Sequence, residues 1–224
     1  MRLLCFLTLL TLAPVWTETA TAQNVGPMPT VLQGEITEIK EERKSKVLVV
    51  TDQNGETHEI RVTPKMQFEI RASGDHGFIR EGAYVGADAI LSNGSLYITK
   101  VSVLLPRKGL RPPRGMVVKA PAEAGQSQNA FKVLGQIKAT QPNPEYPEFT
   151  MIALRVPGNY PAINLESGYE VTVVQTDPEF AEVGMKGELT GKMNRGKLLV
   201  NSLTLQRQEP FESAEIYGSD EADE

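Results

Sequence analysis

The sequence predicts an all-β fold of two small five-stranded barrels in tandem, and three patterns lead to that prediction. Short segments in which apolar and polar residues alternate are separated by turn residues, which is typical of strands. Beyond residue 22, no window keeps an apolar period of 3.6 residues over a dozen positions, as an amphipathic helix would. The third pattern is a repeat at a constant spacing of 102 residues, which pairs Asp75 with Asp177, Phe78 with Phe180, Gly82 with Gly184, Gly94 with Gly196 and Leu96 with Leu198. We infer two copies of one unit of about 75 residues.

The first unit, residues 30–105, contains five predicted strands. Asn54-Gly55 and Asn93-Gly94 each predict a tight hairpin turn, because both central positions of a type I′ turn need a positive φ. One irregular stretch, 63–82, is expected between the third and fourth strands. The predicted strands are 31–39, 47–50, 57–62, 84–91 and 96–105.

The second unit, residues 130–207, repeats this pattern. Gly34 and Gly135 occupy matching positions in the two first strands, where glycine predicts a bulge or a sharp bend. Gly187 stands where the first unit has Val85, so the strand around it is the least well defined. The predicted strands are 131–140, 149–156, 162–165, a segment within 169–175, 183–192 and 197–206.

These signals follow a recognisable order along the first unit. The order is Gly34-Glu35-Ile36, then Glu81-Gly82-Ala83-Tyr84-Val85, then Asn93-Gly94-Ser95-Leu96. It resembles the OB fold, a small Greek-key barrel, as found in OB-like domains of exported bacterial proteins of unassigned function. The resemblance covers most of residues 30–105 and, more loosely, 131–206. It implies two OB-like Greek-key barrels in tandem, each with a binding face across its second and third strands.

The first 22 residues predict a secretory signal peptide. Arg2 is followed by an apolar run, 3–16, and by small residues that favour cleavage between Ala22 and Gln23. The alternative is a retained N-terminal anchor. We expect an exported protein, periplasmic or extracellular, without a transmembrane segment, because no stretch reaches the roughly 20 apolar residues needed to span a bilayer. Cleavage would remove Cys5, the only cysteine, and with it any disulfide or thiolate ligand.

Two segments stand apart from the units by composition. Residues 106–129 are rich in proline near their start and carry positive charge, which predicts a stiff basic linker, since Pro112 and Pro113 cannot belong to a central strand. Residues 208–224 contain seven acidic residues and no Lys or Arg. Such a segment buries little and repels itself, so a disordered acidic tail is expected.

The candidate ligand-binding residues are aromatic or basic. Tyr84, Tyr97, Phe149 and Tyr160, together with Tyr146, could line a barrel face that holds a sugar or a peptide, although they could equally be packing residues. Arg107, Lys108, Arg111 and Arg114 of the linker could hold an anionic polymer. Export, a nearly neutral body and few aromatic residues argue against nucleic acid.

The sequence offers little for catalysis or metal binding. Asp75 and His76 form a polar turn with no nucleophile elbow nearby. His58 lies on a predicted strand, and its spacing to Glu56 and Glu59 matches no known ligand motif. We therefore expect no metal, no cofactor and no enzymatic activity.

The sequence favours an exported, non-enzymatic binding or scaffolding protein, whose ligand is another envelope protein or a polysaccharide. Tandem weak sites gain affinity through effective concentration, which a duplicated unit would exploit. Two alternatives remain open. One is a binder of anionic polymers that uses the basic linker. The other is a hydrolase on the first barrel that works with paired carboxylates among Glu35, Glu38, Glu56 and Glu59.

Overall fold

The computed structural model describes residues 29–42, 45–121, 128–194 and 197–218, and these ranges form an all-β structure. The predicted signal peptide lies outside them. The described strands are β1 (Thr30–Glu42), β2 (Ser45–Asp52), β3 (Thr57–Arg61), β4 (Gln67–Gly74), β5 (Tyr84–Ser92), β6 (Ser95–Leu105), β7 (Met116–Lys119), β8 (Ala130–Pro142), β9 (Thr150–Arg155), β10 (Ala162–Gln175), β11 (Lys186–Asn194) and β12 (Lys197–Gln206). A short helix, α1 (Ser213–Tyr217), follows them.

Five of these strands close into a barrel. Around it β5 pairs with β6, β6 with β10, β10 with β9, β9 with β8, and β8 again with β5. Its inner residues alternate along each strand, as Leu96 and Ile98 do on β6, and both are buried. The β5–β6 turn at Asn93-Gly94 has a positive φ at both residues, which confirms the hairpin predicted there.

Two tandem domains, one from 30–105 and one from 130–207, are not confirmed, because the two units exchange their last hairpins. β1 of the first unit pairs with β11 of the second, and β8 of the second pairs with β5 of the first. The hairpin β5–β6 therefore completes a barrel with β8, β9 and β10, while β11–β12 joins the sheet of β1, β2 and β3.

The register of the two exchanged pairings is the same. Leu32 faces Leu189 across β1 and β11. The first strands of the two units match at a spacing of 101 residues and the last hairpins at 102, so this pair corresponds to Val133 and Ala87, which face each other across β8 and β5. The bulges match as well: the register of β1 against β2 shifts just after Ile36, and that of β8 against β9 just after Ile137. Both shifts lie two residues beyond Gly34 and Gly135, where the bends were predicted. We infer a pseudo-two-fold relation between the units.

The antiparallel pairing of β4 with β10 lies on this pseudo-two-fold axis. Arg71 faces Val174, and Ala72 faces Val173. The strand β4 falls within 63–82, which was wrongly expected to be irregular although Phe68, Ile70 and Ala72 alternate as buried residues. In the second unit, the two predicted segments 162–165 and 169–175 form one continuous strand, β10.

The linker and the tail also differ from the sequence-based expectations. Residues 116–119 of the linker form β7, which pairs with β8. In the tail, Phe211 is fully buried, its N–H donates to the Ser73 carbonyl at 2.9 Å, and α1 follows it. Residues 208–218 are therefore ordered, while the last six predicted tail residues lie outside the described part of the chain.

Buried apolar residues of both units belong to one core. Ile36 and Leu48 of the first unit and Ile137 and Leu203 of the second are members of the same cluster, which also contains Phe211. Since the exchanged hairpins contribute their inner faces to it, each unit buries its core only with the help of the other.

Candidate functional site

The sheet has an open seam between β3 and β12. In the closed barrel, residues 162–165 of β10 pair directly with residues 95–98 of β6. In the other half, β3 corresponds to residues 162–165, and the start of β12 corresponds to residues 95–98. Among the described strands, β3 pairs with β2 alone, and residues 198–200 of β12 pair only with β11. The five-stranded barrel is thus closed at this place, whereas the sheet that contains β1, β2, β3, β11 and β12 is open at the equivalent place.

Pro64 explains why the seam stays open. It follows β3 by three residues and lies in a turn in which the Met66 N–H donates to the Thr63 carbonyl at 3.1 Å. Proline lacks the backbone N–H and fixes φ, so a central strand cannot pass through it. In the second unit the corresponding stretch contains Gly168, whose φ of 71° accommodates a bulge inside the continuous strand β10. As a consequence, β3 and β4 are two separate strands, whereas their counterpart β10 is a single strand.

A cavity of about 670 Å³ occupies this seam. Four consecutive residues of β3, 57–60, line it. Successive strand residues point to opposite faces, so a cavity that touches four in a row follows the edge of the strand. Leu198 and Val200 of β12 and Leu32 of β1 also line it. The volume falls within the roughly 300–1,000 Å³ of ligand sites.

Asp52 organises the turn at one end of the cavity. Its side chain is only 1% exposed. Its Oδ1 accepts the N–H groups of Asn54 at 2.8 Å and Glu56 at 3.0 Å, and its Oδ2 lies 3.0 Å from His58 Nε2. An ionised carboxylate only accepts, so His58 Nε2 carries the proton in this pair. The hydrogen bond from His58 is the main cause that lowers the pKa of Asp52, and the N–H groups of the turn lower it further.

The same turn brings three potential metal ligands together. One side-chain ligand atom each of Asp52, Glu56 and His58 lies within 4.8 Å of the other two. Two carboxylates and an imidazole suit a borderline divalent ion such as Zn²⁺. However, the ligand atoms of Asp52 and His58 already have hydrogen-bond partners. Asp52 Oδ1 accepts the two N–H groups of the turn, and Asp52 Oδ2 accepts from His58 Nε2, so the arrangement is complete as a hydrogen-bonded unit.

The outer rim of the cavity is acidic. Glu56 and Glu59 are exposed there, and the lining residues include no Lys or Arg. Lys40, which lies outside the lining, donates to Glu59 at 2.6 Å, and this hydrogen bond lowers the pKa of Glu59. The site therefore presents negative charge at physiological pH.

Two of the predicted ligand-binding aromatic residues meet on the outside of the closed barrel. The rings of Tyr97 and Phe149 are 6.0 Å apart at 77°, and that of Tyr146 is 5.9 Å from Phe149. Asn143 fixes this loop, because its Oδ1 accepts the Tyr146 N–H at 3.1 Å and its Nδ2 donates to buried Asn164 at 2.8 Å. Tyr146 is 49% exposed, so part of this aromatic group faces solvent.

The other two predicted aromatic residues lie elsewhere and make structural contacts. Tyr84 is buried, which raises its pKa, and its hydroxyl donates to the Pro113 carbonyl. The Tyr160 hydroxyl accepts the N–H of Leu154 and donates to the carbonyl of the same residue, both at 2.8 Å. These four aromatic residues therefore do not form one binding face.

The basic linker residues do not contribute to the seam. Arg107 is half-buried, and its N–H donates to Thr176 Oγ1 at 2.8 Å. Lys108, Arg111 and Arg114 have exposed side chains. Residues 106–113 cover a smaller apolar cavity of about 290 Å³, so this part of the linker packs on the body of the protein.

The Asp75-His76 loop is a structural turn, as predicted. Asp75 Oδ1 accepts the Gly77 N–H at 2.7 Å and its Oδ2 accepts the Ser213 N–H at 2.6 Å. His76 stacks on Tyr169 with ring centroids 4.4 Å apart. The loop thus connects the tail with both units.

Sequence reasoning missed the seam and its Asp52–His58 pair. Asp52 precedes Asn54-Gly55 at the spacing of an Asx turn, and that signal was available. The seam itself has one sequence signal: one unit contains a proline inside the segment that forms a continuous strand in the other unit.

Within the described ranges, no helix has both the length and the apolar character needed to cross a membrane. Comparison of the chain with protein-family models, with curated proteins and with solved structures finds no match.

Proposed function

We propose that the chain is an exported, non-enzymatic binding protein that holds its ligand in the seam cavity between β3 and β12. Each half is proposed to be an OB-like barrel, with the last hairpins of the two exchanged. Export rests on the signal-peptide pattern of residues 1–22. The observation that carries the binding function is the open seam, since the closed barrel shows that the same duplicated architecture is able to close at this point.

The composition of the cavity supports this proposal. Apolar residues form the walls, including Leu32, Ile60, Leu198 and Val200, and polar groups stand at the rim. Of the twelve described residues that line the cavity, five are apolar and seven are polar or charged, so the cavity can contact both the apolar and the polar groups of a ligand. The Asp52–His58 pair holds the rim in a defined shape, because it ties the end of β2 to the start of β3.

The test is a screen of arrayed short peptides and glycans with labelled protein and two tryptophan variants. Leu198→Trp places a large ring in the cavity, whereas the matched control Leu199→Trp alters the next residue, which is 53% exposed and lies outside the lining. We expect ligands that the wild type and Leu199→Trp bind equally and that Leu198→Trp loses. The proposal fails if nothing binds, or if Leu198→Trp binds the same set.

One observation favours the alternative of a carboxylate-based hydrolase, because Glu56 and Glu59 both line the cavity. Acid–base hydrolysis needs one carboxyl with a raised pKa as general acid. The pKa values of Asp52 and Glu59 are instead lowered by their hydrogen bonds to His58 and Lys40. Binding therefore accounts better for the site than hydrolysis, and loss of a hydrolytic activity in Glu56→Gln would reverse this preference.

A further inference from the structure

We propose that the ligand of the seam is an extended, basic segment of a partner protein, which adds to the sheet as a strand between β3 and β12. This inference rests on the proposed binding function and names its ligand class. An unpaired strand edge is a row of free N–H and C=O groups, and peptide strands bind to such edges by main-chain hydrogen bonds.

The hydrogen-bond pattern of β3 indicates which groups are available. The Asp52 N–H donates to the Glu56 carbonyl at 2.9 Å, and β3 then pairs with β2 without a shift in register. In an antiparallel pair, ladder bonds fall on every second residue, so Glu56, His58 and Ile60 direct their backbone groups towards β2. The N–H and C=O groups of Thr57 and Glu59 consequently point into the seam.

The opposite edge matches this arrangement. In the closed barrel β10 and β6 are parallel, so β3 and the start of β12 run in the same direction on either side of the seam. A single inserted strand can therefore have the same orientation relative to both edges. It would continue the sheet from β3 to β12 and close the second barrel, as direct pairing closes the first.

The side chains around the seam set the character of the ligand. Alternate residues of an inserted strand would point inwards, towards Leu32, Ile60 and Val200, which requires apolar side chains. The others would point outwards on the face of Glu59, which already accepts from Lys40 at 2.6 Å. Exposed Glu56 stands beside Asp52 and His58 at the end of the seam and leaves the rim negatively charged. Charge complementarity with this rim favours a segment that combines apolar residues with Lys or Arg. A glycan would satisfy the rim but would not use the edge of β3.

The probe is a synthetic peptide of alternating Val and Lys, about eight residues long, which is enough to span the five-residue β3 at about 3.3 Å per residue. We expect the full chain to bind it at least about tenfold more tightly than a peptide of alternating Val and Glu. Equal affinity for the two peptides, or no binding of the Val-Lys peptide, would overturn the proposal.

Proline substitution separates main-chain pairing from side-chain contact. Thr57→Pro removes the N–H that points into the seam and leaves the ladder bonds to β2 in place, whereas Thr57→Val keeps that N–H. We expect Thr57→Pro to weaken binding by about tenfold or more and Thr57→Val to leave it nearly unchanged. Equal binding by both variants would contradict strand addition.

Amide hydrogen exchange on the wild-type chain gives a measurement that does not depend on the folding of a variant. Binding of the Val-Lys peptide should slow exchange at Thr57 and Glu59, and no slowing there would overturn the inference. If Leu198→Trp loses glycans on the arrays and no peptides, the binding function stands and strand addition fails. If it loses neither class, both fail.

Discussion

At the scale of single residues, Asp52 is the group whose ionisation matters most for the seam. Its pKa is lowered chiefly by the hydrogen bond from His58. A carboxylate with a lowered pKa in the folded state stabilises that state at pH values above its unfolded pKa, about 3.9, and this contribution disappears as the pH falls through the folded value. We therefore expect Asp52→Asn, which keeps the shape and the turn acceptor, to be less stable than the wild type at pH 7. The difference should shrink below about pH 4.

The measurement is the urea midpoint of both proteins between neutral pH and pH 3. Asp88→Asn, which removes an exposed carboxylate of β5, is the control for the loss of one negative charge. A difference between wild type and Asp52→Asn that stays constant down to pH 3 would show that the ionised form of Asp52 contributes nothing to stability.

Residue-level reasoning from the sequence succeeded where a local rule applied. Asn93-Gly94 forms the predicted turn with a positive φ at both residues, whereas at Asn54-Gly55 only the glycine has a positive φ and Asp52 organises a longer turn. Tyr97 and Phe149 come together, but Tyr84 and Tyr160 do not join them, because composition does not specify which face of a strand a side chain occupies. Predicting the Asp52–His58 contact requires the length of the turn between β2 and β3 as well as the identity of the two residues.

At the scale of elements, the exchange of the two hairpins makes a specific prediction. In the exchanged arrangement Val31 faces Thr190, and Asp88 faces Lys132. Without exchange, the repeat would place Val31 opposite Asp88. Facing residues of antiparallel strands have Cα atoms about 4.5–5.5 Å apart, which suits a disulfide. Val31→Cys with Thr190→Cys should therefore oxidise readily to an intramolecular disulfide, whereas Val31→Cys with Asp88→Cys should not.

The experiment uses a chain that begins at Gln23, so that Cys5 does not interfere, and counts free thiols by mass spectrometry after mild oxidation. Reduced samples of each variant control for folding. A disulfide in the Val31–Asp88 variant, with free thiols in the Val31–Thr190 variant, would mean that each hairpin stays with its own unit.

The exchange explains why strands could be predicted from the sequence while their partners could not. Both arrangements bury the same faces in the same register, so hydrophobic alternation is identical in the two. The choice depends on the connection 75–83 between β4 and β5, whose path is set by the Asp75 turn and by its contact with Ser213 in the tail. The strand β4, by contrast, is predictable from the alternation of Phe68, Ile70 and Ala72.

At the scale of the whole molecule, the tail shows where composition misleads. Seven acidic residues predicted disorder for 208–224, but residues 208–218 are ordered and include two aromatic residues, Phe211 and Tyr217. Phe211 is fully buried, with its ring 6.2 Å from that of Phe180 in the second unit and its backbone bridged to Gly74 in the first. The Arg207 guanidinium lies 4.5 Å above the Phe211 ring. The tail thus fastens one unit to the other.

We therefore predict that Phe211→Ala lowers the free energy of unfolding of the whole chain by about 3–5 kcal/mol, the usual cost of removing a fully buried Phe side chain. Because both units share one core, the loss should appear as one cooperative transition at a lower denaturant concentration. Tyr217→Ala is the matched control: its ring packs edge-on against Phe78 but is 37% exposed, so about 0.5–1.5 kcal/mol is expected. A Phe211→Ala effect no larger than that of Tyr217→Ala would show that the tail is not part of the core.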